Sequence, residues 1–132
     1  MIDFKTILAP SKTIAVVGLS DDPSRPSYQI ATYLLSVGFT VVPVNPNITS
    51  FKGIEAYPSL SSIPPSIPID IVNIFRRSEA VLSVVQELIQ TQRKAVVWMQ
   101  EGVVSQSAKQ LAEAHGLTVV MDTCIMKQHF AL

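Results

Sequence analysis

Three arginines stand where an anion could be held. Arg25 lies among Ser20, Ser24 and Ser27 in the stretch GLSDDPSRPS, and Arg76 and Arg77 are adjacent in FRRSE. A guanidinium is a planar fork of donors matched to phosphate, and serine hydroxyls beside a helix start add to the free N–H groups of the helix itself. The chemistry such a set serves is the binding of a phosphate group. Asp21 and Asp22 bring negative charge into the same loop. A second reading therefore has the serines capping the helix and Arg25 pairing with the aspartates in solvent. Arg76 and Arg77 fall where a strand meets a helix start, and cations there oppose the helix dipole unless an acid such as Glu79 or a bound anion offsets them. Side chains at successive positions diverge, so one of the two is expected to face a cleft.

Groups able to make or break covalent bonds are few: Cys124, His115 and His129, with no paired carboxylates at a telling spacing. A nucleophilic cysteine needs an activated thiol and an orienting base, and the sequence demonstrates neither, so a buried, unreactive thiol is expected. His115 fits the last turn of a helix for dipole reasons alone. One cysteine excludes an internal disulfide framework and a cysteine-based zinc cluster. No catalytic residue and no metal ligand is expected.

The elements that must position these groups alternate between apolar, β-branched runs and helix-period segments. This predicts βα units and an α/β fold of three layers, a mainly parallel five-stranded sheet with helices on both faces. The strands are predicted at Ile14 to Gly18, Thr40 to Val44, Asp70 to Phe75, Ala95 to Met99 and Thr118 to Met121. Helices are predicted after Ser27, Ser78 and Ser105 as caps, with a short leading helix over Ile2 to Leu8 capped by Asp3. The Ser- and Pro-rich segment from Asn47 to Pro68 reads as a crossover with at most one short helical turn around Leu60.

In open parallel sheets, ligands bind outside the carboxyl ends of the strands. Those ends are polar here: Gly18-Leu19-Ser20, Asn45-Pro46, Arg76-Arg77, Gln100-Glu101-Gly102 and Asp122-Thr123-Cys124. The first resembles the start of a dinucleotide-binding loop, but the later glycines of G-x-G-x-x-G are replaced by Ser20 and Pro23. After the second strand, Asn45-Pro46 stands where an NAD site has an acid for the ribose hydroxyls, which disfavours NAD. Asn45 suits a ribose or base, or simply opens a turn. Gln100 suits an amide or base, or a structural hydrogen bond, and Trp98 reads as a core or interface residue.

The 132 residues suit a single domain, 1–132, able to bury a core unaided. Charged residues are 15% of the chain and balance to zero, so the basic footprint of a nucleic-acid binder is missing. No apolar run approaches the roughly 18 residues of a membrane span, and Asp3 and Lys5 interrupt the N-terminus where a signal peptide is apolar. A cytoplasmic location is expected, with a homo-oligomer or an unidentified protein partner left open.

The ordered set AVVGLSDDPSRPSYQIATYL, VVPVNPN, GIEAYPSL, DIVNIFRRSE, VVWMQEGV and VVMDTCI resembles the CoA-binding domain family over roughly Thr6 to His129. These are small Rossmann-like proteins similar to the N-terminal domain of the succinyl-CoA synthetase alpha subunit. The resemblance implies coenzyme A, or an acyl-CoA, as ligand, with a 3′-phosphorylated ADP and a pantetheine arm. It implies Gly18, Ser20, Arg25 and Ser27 along the phosphates, Asn45 and Pro46 beside the nucleotide, and Phe75 with Arg76 or Arg77 flanking the cleft. The phosphorylated histidine of the synthetase lies in a further domain, so ligase chemistry is not carried over. The alternatives are an NADP- or nucleotide-dependent enzyme using the same cleft, and an interaction module in which the arginines and Trp98 make a subunit contact. Cys124, after the last strand, is placed where a mixed disulfide with the CoA thiol is conceivable.

Overall fold

Strand residues that are apolar without interruption have both faces to bury, and the computed structural model, which describes residues 2–132, buries them between two helical layers. Helix α1 (Phe4–Leu8) leads into β1 (Thr13–Val17), α2 (Pro26–Ser36) and β2 (Thr40–Val44). A small hairpin of β3 (Ser50–Phe51) and β4 (Ile54–Glu55) and a 3-10 turn (Leu60–Ser62) fill the crossover to β5 (Ile71–Ile74). After it come α3 (Val81–Gln90), β6 (Val96–Met99), α4 (Gln106–Ala114), β7 (Val119–Val120) and α5 (Ile125–Phe130).

The five-stranded sheet has the order β2-β1-β5-β6-β7, and every pairing is parallel. Side chains alternate along each strand, so β1 sends Ile14 and Val16 to one layer and Ala15 and Val17 to the other. The first layer packs Leu8 of α1, Ile30, Ala31 and Leu34 of α2, and Ile125 of α5. The opposite layer packs Val81, Val85 and Leu88 of α3 with Ala108 and Ala112 of α4. The chain runs outward from β1 to β2 and then crosses back to β5 on the other side of β1. The order therefore reverses between β1 and β5, and a crevice opens at their carboxyl ends.

The predicted strands are present to within a residue or so, and the turn around Leu60 is the 3-10 turn. Two caps differ. The N-cap of α2 is Arg25, and the Ser27 hydroxyl accepts from the Ser20 N–H. Ser78 opens a 3-10 turn ahead of α3, and its hydroxyl accepts from the Val104 N–H. In both places a serine inside the first turn meets a backbone donor outside its helix, from the preceding loop or from another one, and bonds there. Asp3 and Ser105 cap α1 and α4 as expected.

Two polar side chains hold the crossover in place. The Asp70 carboxylate accepts from the Lys12 and Thr13 N–H groups at 2.8 and 2.9 Å, tying the start of β5 to that of β1. The Arg93 guanidinium donates to the carbonyls of Ile63, Pro64 and Ile67, satisfying backbone acceptors that the proline-rich chain cannot pair with itself. Trp98 is fully buried, packs on Phe4 and donates its indole N–H to the Thr123 carbonyl. It belongs to the core, which removes it as a surface for subunit contact.

Candidate functional site

The turn after β1 passes directly over the backbone that follows β5. Gly18 has φ +87°, and a Cβ there would lie 2.3 Å from the Phe75 carbonyl oxygen. Both chains are held: the Gly18 N–H donates to the Val44 carbonyl and the Phe75 N–H to the Val17 carbonyl, each at 2.8 Å. Only glycine allows the loop so close to the switch in strand order. The stem of Arg76 lies across the same point, its Cδ being 3.1 Å from where that Cβ would be.

Two clefts meet at this ridge. A smaller one of about 620 Å³ runs beside Asn45, Pro46, Ser59 and Glu87. A larger one of about 920 Å³ runs past Ser20, Arg25, Ser27, Arg77, Gln100 and Cys124, with Ile30, Val103 and Met126 as apolar walls. Gly18, Phe75 and Arg76 border both. All ten residues expected to bind a cofactor therefore line one or both clefts, although their side chains are differently placed.

The loop from Ser20 to Arg25 satisfies most of its own polar groups. The Asp22 N–H donates to the Ser20 hydroxyl, and the Asp22 carboxylate accepts from the Ser24 N–H and hydroxyl, which holds the carboxyl below its ordinary range. Asp22 is thus occupied by Ser24. The ion pairs among the described residues are Arg77 with Glu79 at 3.9 Å and Lys127 with Glu101 at 3.0 Å. Among the described residues neither Arg25 nor Arg76 makes a contact ion pair; Arg25 lies near enough to Asp22 to help hold its carboxyl low, but the Asp22 carboxylate bonds to Ser24 instead. The first turn of α2 carries no side-chain cap and opens beside Arg25.

Asn45 ties the two loops together: its Nδ2 donates to the Leu19 carbonyl and its Oδ1 accepts from the Asn47 N–H, both at 2.9 Å. Pro46 is exposed at the rim. Glu87 is likewise engaged, accepting from the Leu60 N–H and the Ser61 hydroxyl. Lys127 is bonded to Glu101, which raises its pKa above the ordinary lysine value. Arg76 is therefore the cation bordering the smaller cleft, and Arg25, Arg76 and Arg77 concentrate positive charge at the larger one. A chain that is neutral overall has a basic crevice at its strand ends.

Gln100 closes β6 with 5% of its surface exposed, its Oε1 accepting from Asn73 Nδ2 and from the Ile125 N–H, each at 3.3 Å. Asn73 is fully buried, and its Oδ1 has no hydrogen-bond partner among the described residues. Sequence reasoning did not single out Asn73, yet one amide in the apolar run IVNI was the signal available. Nor did it find Val103, Met126 or Lys127, which border the larger cleft. His129 lines neither cleft. It is five residues beyond Cys124, a spacing at which a Cys/His pair is conceivable, but its Nδ1 is 2.7 Å from the Tyr33 hydroxyl and its ring packs on Phe39, away from the cleft that Cys124 lines. No cluster of three or more metal-ligating side chains occurs among the described residues, and no helix among them is long and apolar enough to cross a membrane.

Comparison with known proteins matches the CoA binding domain family over residues 12–130. YneT, an uncharacterized protein of Bacillus subtilis, is 44% identical over 127 residues, covering 96% of this chain and 92% of its own. A solved structure of a hypothetical protein from Pyrococcus horikoshii superposes with a TM-score of 0.90 at 34% identity, covering 97% of this chain and 88% of that one. The ADP-forming acetate–CoA ligase II of Archaeoglobus fulgidus is 27% identical over 128 residues. That match covers 89% of this chain but 19% of the ligase.

Proposed function

The chain belongs to the CoA-binding domain family, and from that premise we propose that it binds coenzyme A, or an acyl-CoA, along the two clefts that meet at Gly18. The observation that carries the reading is the pair of guanidiniums outside any contact ion pair among the described residues, Arg25 and Arg76, flanking a glycine-permitted close approach at the switch in strand order. Phosphates suit that ridge, because the uncapped first turn of α2 and the Arg25 fork supply donors there. The nucleotide with its 3′-phosphate suits the smaller cleft beside Asn45 and Pro46, where Arg76 provides the cation. The pantetheine arm suits the larger cleft, whose Ile30, Val103 and Met126 offer apolar contact and whose Gln100 offers an amide. Both volumes fall within the roughly 300–1,000 Å³ of small-molecule sites.

The end of β2 offers no acid to read ribose hydroxyls, and Asn45 has both ends of its amide engaged by protein. NAD should therefore bind poorly. In a thermal-unfolding comparison of CoA, NAD, NADP and ATP at equal concentration, CoA is expected to raise the midpoint. At about 100 times its dissociation constant, a ligand stabilises the fold by roughly 2.7 kcal/mol. NAD is expected to leave the midpoint unchanged. Equal stabilisation by NAD, or a shift with the dinucleotides and none with CoA, rejects the assignment.

A further inference from the structure

The larger cleft ends on a thiol. Cys124 is free, 6% exposed, and borders the same space as Ser27 and Gln100. A lone cysteine carries little by itself, but its neighbour is a buried amide in a defined orientation. The Ile125 backbone N–H can only donate, so the Gln100 atom facing it must be the oxygen, and Asn73 Nδ2 approaches that same oxygen. Gln100 Nε2 therefore points the other way, has no protein acceptor among the described residues and is not fully enclosed, and Gln100 lines the cleft. A nearly buried NH₂ group without an acceptor is costly unless water or a ligand carbonyl completes it. Gln100 and Cys124 line the same cleft, and the Gln100 oxygen is bonded to the N–H of the residue that follows Cys124.

A carbonyl acceptor close to a group able to meet a sulfhydryl describes one kind of ligand end: an amide chain terminating in sulfur. We infer that Cys124 is a thiol–disulfide exchange site for the pantetheine end of coenzyme A, with Gln100 Nε2 donating to an amide carbonyl of the arm. This rests on the proposed CoA binding and adds a covalent step to it. With CoA disulfide as co-reactant, Cys124 Sγ attacks one sulfur as the thiolate, the S–S bond of CoA disulfide breaks, and an Sγ–S bond forms. The departing CoA thiolate takes up the proton that Cys124 released. Cys124 is oxidised, one CoA is reduced to its thiol, and no other electron acceptor is needed. A small thiol in excess reverses the step.

The test is intact-mass measurement over time on folded protein incubated with CoA disulfide or, at equal concentration, with oxidised glutathione. The parent is expected to gain one CoA several-fold to about tenfold faster than it gains glutathione, the discrimination expected of a single hydrogen bond. Cys124→Ser should gain nothing, and Gln100→Met should slow the CoA reaction toward the glutathione rate. The comparison of the two disulfides on the parent stands even where a variant fails to fold. Equal rates with the two disulfides overturn the inference, because the thiol is then merely accessible. An unshifted mass in a parent that binds reduced CoA by calorimetry overturns it and leaves the CoA reading intact. Neither adduct nor reversible CoA binding rejects the binding reading and the inference with it.

Discussion

Replacing Gly18 by alanine is expected to lower unfolding stability by about 3 kcal/mol or more, among the largest effects a single methyl group can have. Two costs combine. A Cβ at φ +87° is strained in itself by roughly 1–2 kcal/mol. It would also meet the Phe75 carbonyl oxygen at 2.3 Å, and that backbone is fixed by the Phe75 N–H bond to Val17. Gly102 separates the two contributions: its φ is +88°, but nothing lies within 4 Å of a Cβ there. Gly102→Ala should therefore show only the conformational cost, about 1–2 kcal/mol. Urea unfolding of both variants reads the difference directly. A Gly18→Ala loss no larger than that of Gly102→Ala would mean that the loop moves aside freely and that close approach at the strand switch is not a constraint.

The arginines are expected to separate by role in calorimetric titration. Charge-assisted bonds are strong where the partner is held and partly shielded from water, and losing one costs roughly 1.5–3 kcal/mol, or about 10- to 100-fold in affinity. Arg25→Ala and Arg76→Ala should each weaken CoA binding by that factor. Arg77 already faces Glu79 at 3.9 Å with both side chains in solvent, so Arg77→Ala should change affinity by less than about threefold. Dephospho-CoA divides the first two further. Arg76 is the cation bordering the smaller cleft, so Arg76→Ala should erase much of the preference for CoA over dephospho-CoA, whereas Arg25→Ala should weaken both alike. Parent-like binding by Arg25→Ala removes the phosphate role of the loop. Both arginines line the larger cleft, so a large loss at Arg77 with none at Arg76 reverses which of them holds the phosphate. Each variant must first unfold like the parent.

The sheet was legible in the sequence because burial on both faces leaves uninterrupted apolar runs, and the strand from Thr40 to Val44 matches its predicted bounds. Helices α2, α3 and α4 were legible because their inward residues recur at helical spacing. What was missed is either too short for a period or decided by distant partners. The hairpin has two residues in each strand, and α5 has six in all. Ser27 and Ser78 have the right residue type for caps, but their hydroxyls are taken by Ser20, at the far end of the loop before α2, and by Val104 from another loop. Arg93 reads as an ordinary surface cation until Ile63, Pro64 and Ile67 are folded back against it.

For the site, polar residues at strand ends pointed to the right end of the sheet. Sequence spacing did not reveal which of two adjacent arginines borders both clefts, nor that Asn45 is a tie between loops. Asn73 is the instructive omission. An amide inside IVNI interrupts an otherwise apolar strand, and its Nδ2 holds the oxygen of Gln100, a residue that lines the larger cleft.

Calorimetric titration of the parent protein with CoA, set beside an identical titration with NAD, bears most directly on the central claim. One saturable CoA site per chain is expected, with no saturable heat from NAD over the same range. A CoA titration that stays flat, or NAD binding as tight as CoA, contradicts it.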